Sequence, residues 1–88
     1  MIKEEVVLHV ATAAIQDCGI SGRWLDVRVY EDESSRKLTV SFEFPFIKKG
    51  EIITLHMDIK CDHASDSLLD PADMKREINR LLDKERGK

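Results

Sequence analysis

Between Arg36 and Asp62 the chain reads RKLTVSFEFPFIKKGEIITLHMDIKCD, and its apolar residues keep a period of two. Leu38, Val40, Phe42, Phe44 and Phe46 share one parity, opposite Lys37, Thr39, Ser41, Glu43 and Pro45. After a break, Ile53, Leu55, Met57, Ile59 and Cys61 do the same, opposite Ile52, Thr54, His56, Asp58 and Lys60. Side chains alternate faces along a strand, so these are two half-buried strands. Lys48, Lys49 and Gly50 join them, with Gly50 free to take a positive φ. A hairpin with one apolar face is not stable alone in water, so the rest of the chain must cover it.

The flanking segments supply that cover. From Lys3 to Cys18, Val7, Val10, Ala11, Ala14 and Cys18 recur at intervals of three and four, a helical stripe widened by Val6, Leu8 and Ile15. Glu4 and Glu5 occupy its first turn, where free amides favour negative charge, and Gly19 is its stop. A third alternating segment follows, RWLDVRVYE, with Leu25, Val27 and Val29 on one face and Trp24, Asp26, Arg28 and Tyr30 on the other. The acidic loop EDESS links it to the hairpin, and short links favour a meander with Leu38–Phe46 in the middle. Pro45 sits badly in a central strand, so the ladder is expected to stop near Phe44 or to bulge at Pro45. At the far end Asp70 caps a last helix, Pro71 fills its first turn and Asp73 stands third, where an acid can receive free amides. Met74, Ile78, Leu81 and Leu82 form its apolar stripe, and Gly87 is its stop.

The expected fold is therefore α+β: a two-layer α-β-β-β-α sandwich, with a three-stranded antiparallel meander and both helices on one face. Its expected core is Val7, Val10, Ala14, Ile15, Leu25, Val27, Val29, Leu38, Val40, Phe42, Phe44, Ile53, Leu55, Met57, Ile59, Ile78, Leu81 and Leu82. Eighty-eight residues suit a single domain spanning 1–88, because two cores would leave each half too small. The apolar run Val6–Ile15 is short and contains His9, which argues against both a secretion signal and a membrane span. The expected location is the cytoplasm, with Cys18 and Cys61 reduced and packed rather than bridged.

Chemistry is harder to find. His56 and Asp58 lie two apart on one face of a strand, with Glu43 in reach across it; a solvated sheet with compatible charges accounts for all three. Cys61, Asp62, His63 and Asp66 lack the four well-spaced donors of a structural zinc site. Asp62, Asp66, Asp70 and Asp73 lack the spacing and loop glycine of a calcium-binding hand. No serine occupies a nucleophile elbow, and no carboxylate pair is tied by spacing to a cleft. No enzyme, cofactor or metal is expected. The outward sheet face, by contrast, carries Trp24, Arg28, Tyr30 and His56, and aromatic and arginine side chains are enriched where proteins bind proteins. The leading expectation is a small interaction or regulatory protein that uses this face for a protein partner, with a homodimer through the face or a strand edge as one form of it.

The alternative is a nucleic-acid binder. Net charge is −3, which disfavours a surface devoted to phosphate, yet from Lys75 onward six basic residues face three acidic ones. Lys75, Arg76, Arg80 and Lys84 are the candidate contacts. The α-β-β-β-α order resembles that of double-stranded-RNA-binding domains over nearly the full chain. The resemblance implies phosphate contact from a lysine-rich start of the second helix; the matching segment here, DPADMKREI, sets Lys75 and Arg76 behind two aspartates. That family's glycine- and histidine-containing loop between the first two strands is replaced by EDESS, whose charge repels RNA.

Overall fold

The structure, a computed structural model, describes residues 4–32, 34, 37–62 and 70–87. Five elements follow one another: α1 (Glu4–Asp17), β1 (Asp26–Asp32), β2 (Lys37–Lys48), β3 (Glu51–Asp62) and α2 (Pro71–Glu85). The strands form one antiparallel sheet in the order β1-β2-β3. Both helices cover the face that carries Leu38, Val40, Phe42, Phe44 and Phe46. This is the two-layer arrangement that the alternation implies.

β2 and β3 are longer than the alternation suggests. Their ladder runs without interruption from Lys37↔Asp62 to Lys48↔Glu51. A two-residue turn closes it, with positive φ at both Lys49 (52°) and Gly50 (77°). Two consecutive positive φ angles match the natural twist of a hairpin. Pro45 neither ends the ladder nor bulges it; it lies opposite Thr54. The reason is register. Counting back from the closing pair, odd-numbered β2 residues aim their backbone groups at β1, and β1 ends at Asp26↔Glu43. Pro45 therefore lacks its N–H on the side where no strand of the described chain remains to receive it.

β1 begins later than RWLDVRVYE implies. Trp24 and Leu25 precede the strand in a turn closed by the Leu25 N–H donating to the Gly22 carbonyl at 3.2 Å. β1 is an outer strand and buries its inner face only in part: Val27 and Val29, with Leu25 just before the strand, pack against the core without being enclosed by it. The same holds for Val10, Ile53 and Leu81, while the remaining expected core residues are buried. The core also takes in Ala11, Phe46 and Met74.

The helix ends have identifiable chemistry. Past α1 the Ile20 N–H donates to the Ile15 carbonyl (3.3 Å) and the Gly19 N–H to that of Gln16 (3.0 Å), a Schellman closure with Gly19 at φ 89°. Ile20 then packs back on the core. The Asp70 carboxylate accepts the Ala72 N–H at 2.9 Å, and Pro71 opens α2. Asp73 holds the Arg76 guanidinium at 2.9 Å. The α1 stripe is narrower than expected: Val7, Ala11, Ala14 and Ile15 are buried, whereas Val6 and Leu8 are exposed.

Candidate protein-interaction surface

The sheet's second face is covered by no described element. Its side chains form cross-strand rows set by the register: Tyr30–Thr39–Lys60, Arg28–Ser41–Asp58, Asp26–Glu43–His56, Pro45–Thr54 and Ile47–Ile52. Thr39 and Ser41 point outward, as their parity requires, yet they are buried, Thr39 to 2% exposure. Each is small and flanked on both sides by longer residues, so Tyr30 and Lys60 overhang one while Arg28 and Asp58 overhang the other. Alternation alone would display this row to solvent, but Thr39 and Ser41 are enclosed; Glu43, further along, is exposed.

Three of the four expected contact residues meet. Arg28, Tyr30 and His56 line one shallow depression of about 280 Å³, floored by Ser41 and walled by Asp26 and Glu43. The Arg28 Nε donates to Asp26 Oδ2 at 2.8 Å, one step along the same face of β1. His56 lies between two carboxylates, its Nε2 3.0 Å from Asp58 Oδ1 and its Nδ1 3.6 Å from Glu43 Oε2. Glu43 is thus directly across from His56, where the alternation put it. Among the described residues, no group of three His, Cys, Asp or Glu is arranged to hold a metal ion.

Trp24 stands apart from that trio. Because it precedes β1, its ring lies by the sheet's end, lining a second depression with Asp26, Glu43, Pro45 and Thr54. It is 73% exposed. Beyond Pro45 and Thr54 comes the last row, Ile47 (71% exposed) opposite Ile52 (77%). Trp24 beside Pro45, followed by the Ile47–Ile52 row, therefore gives this end of the open face its apolar character. Ile52 was recognisable from its parity. Ile47 lies beyond the expected end of the middle strand at Phe46, one step along the alternation Thr39–Ser41–Glu43–Pro45.

The basic candidates on α2 are differently placed. Arg76 is paired with Asp73 at 2.9 Å, and Arg80 makes a bidentate contact with Glu77, both within the helix. That contact lowers the Glu77 carboxyl below its usual range and raises the Arg80 guanidinium. Lys75 and Lys84 are exposed, and Lys84 shares a depression at the hairpin end with Phe46, Lys48, Lys49 and Arg86. There Lys48 pairs with Glu85 (3.4 Å), Arg86 reaches Asp83 (3.6 Å), and the Arg86 guanidinium lies 5.9 Å from the Phe46 ring centre. Each arginine of the helix thus has a carboxylate beside it.

Cys18 is a free thiol whose Sγ approaches the Lys75 carbonyl at 3.9 Å, so the end of α1 lies against the start of α2. Burial pushes the thiol up from its ordinary value. The Cys61 and Asp62 side chains, together with His63 and Asp66, lie outside the described residues, as does Glu33 of the acidic loop. No described helix is long and apolar enough to cross a membrane. Comparison of the chain with protein-family models, with curated proteins and with solved structures found no match.

Proposed function

We propose that this chain is a small, non-enzymatic interaction or regulatory protein that captures a protein partner on the open face of its sheet. One observation carries the reading. Among the described residues, the three most exposed large apolar side chains, Trp24, Ile47 and Ile52, belong to one end of one face rather than being scattered. Isolated surface apolars are ordinary; a contiguous set rimmed by polar groups is what binding surfaces present. Asp26 and Glu43 beside Trp24 give that rim a negative side, so the fitting partner has an apolar centre and a basic flank. Arg28, Tyr30 and His56 extend the contact along the face.

The absence from the sequence of a nucleophile, acid–base pair or cofactor loop at diagnostic spacing supports the non-enzymatic half of this reading. Against phosphate, the Asp73–Arg76 and Glu77–Arg80 pairs weigh directly. Binding nucleic acid there would require each guanidinium to leave a carboxylate or to bring it along.

The test is a native pulldown with mass identification, run with three baits whose folding is checked by circular dichroism. The expected result is a protein retained by the wild type and by a Lys75→Ala/Arg76→Ala/Arg80→Ala/Lys84→Ala variant, but lost from Trp24→Ala/Arg28→Ala/Tyr30→Ala. Capture that survives the second set of changes rejects the open face. Binding of labelled duplex RNA or DNA that falls steeply with salt, and that the α2 variant abolishes, assigns the function to α2 instead.

A further inference from the structure

We propose that the free edge of β3 takes a second copy of this chain, the two β3 strands pairing antiparallel about a two-fold axis at Met57. The sheet has two outer strands, and they differ in how they end it. β1 is seven residues long and carries Asp26, Arg28 and Glu31, a short and charged edge of the kind that discourages pairing. β3 runs twelve residues with no proline and an unbroken ladder to β2. From the closing pair Lys48↔Glu51, odd-numbered β3 residues bond to β2. The N–H and C=O groups of Ile52, Thr54, His56, Asp58 and Lys60 therefore point off the sheet. Among the described residues no strand receives them.

The register follows from strand overlap and charge together. In an isologous antiparallel pair, residue i faces j and j faces i, so choosing the axis chooses every contact. With Met57 on the axis, His56 faces the partner's Asp58, and Asp58 faces the partner's His56. Thr54 faces the partner's Lys60. On the inner face Leu55 meets the partner's Ile59, and Met57 meets itself, so the apolar layer under each sheet continues across the junction. An axis at Asp58 instead opposes two aspartates and sets Lys60 against His56. An axis at His56 opposes Ile52 with Lys60. An axis at Ile59 also sets an acid against a donor, Asp58 facing the partner's Lys60, but it leaves residues 51–55 with no β3 residue opposite. The Met57 axis keeps residues 52–62 paired, matches His56 with Asp58 twice and apolar with apolar beneath, and sets Ile52 against the partner's Asp62. The product is a six-stranded sheet, β1-β2-β3-β3-β2-β1, with the Trp24–Ile47 apolar ends of both copies left free.

This inference is independent of partner capture by the open face, and the two fail separately. Sedimentation velocity from low-micromolar to millimolar protein is expected to show a monomer–dimer equilibrium. Asp58→Pro deletes an N–H on the free side and leaves the β2–β3 ladder whole, so it should yield a folded monomer. Asp58→Lys should weaken the dimer at least tenfold, and His56→Asp/Asp58→Lys should restore it by recreating an acid–base pair in the same register. The charge swap also keeps the test decisive if the proline variant does not fold. Trp24→Ala/Ile47→Thr should leave association unchanged while losing the open-face partner. A monomer at every concentration overturns the proposal. So does a dimer insensitive to both Asp58 changes, or one abolished by Trp24→Ala/Ile47→Thr, since copies joined by their open faces behave that way.

Discussion

Lys49 adopts a backbone conformation that its side chain resists. At φ 52° it is the only non-glycine among the described residues on the positive side, and it is there because a two-residue hairpin turn needs positive φ at both central positions. A left-handed conformation costs an ordinary L-residue roughly 1–2 kcal/mol, and asparagine bears it best. Lys49→Asn should therefore stabilise the fold by about 0.5–1 kcal/mol, seen as a melting temperature about 3–6 °C higher by calorimetry. An unchanged or lower melting temperature would show that the turn is not under this strain. Other single positions show where residue-level reading stops. Parity states which way Thr39 and Ser41 point, and it was right; it cannot state that their neighbours overhang them, because that depends on residues paired from β1 and β3. Pro45 misled for a related reason. Its missing donor matters only if a strand lies on that side, and β1 stops short of it.

Among the elements, α2 is the most fully specified locally. Asp70 caps it, Pro71 starts it, and Asp73–Arg76, Glu77–Arg80 and Asp83–Arg86 repeat one acid-to-arginine step of three residues along it. The Glu77 carboxyl is lowered chiefly by its hydrogen bond to Arg80. A carboxyl lowered on folding contributes stability above its unfolded pKa, and that contribution is lost as pH falls through the folded value. Both partners are well exposed, with Glu77 at 39%, so solvent screening limits the effect. Glu77→Gln should thus cost about 0.2–0.5 kcal/mol in urea unfolding at pH 7. Its cost should vanish once the wild type is titrated below the lowered pKa. A cost that persists in acid would assign the loss to helix propensity rather than to the ion pair. In α1 the helical period was plain, but the breadth of its buried face was not. Val6 and Leu8 are as apolar as Val7, and only the position of the sheet and α2 selects which of them is enclosed.

The assembled sandwich grades its interior from the middle of the sheet outward. Val29 and Val40 are the same residue on the same face, directly opposite one another. Val40, in the central strand, is completely buried, whereas Val29, in β1, is only partly so. Val40→Ala should therefore cost about 2–3 kcal/mol and Val29→Ala about 1 kcal/mol. Equal costs by denaturant titration would mean that β1 is enclosed as fully as β2. Trp24, Ile47 and Ile52 reach one place by three routes: a turn before β1, an extension of β2 and the start of β3. Trp24 lies 23 residues before Ile47 and 28 before Ile52 in the chain, and the three come to one end of the sheet only when the register is set. Periodicity and end-capping chemistry are local, and they were enough to define two helices, three strands, their order and the buried face of the sheet. How far each strand runs, which outward residues are shielded and which apolar side chains gather at one end are sums over several strands at once. Those were settled only by packing.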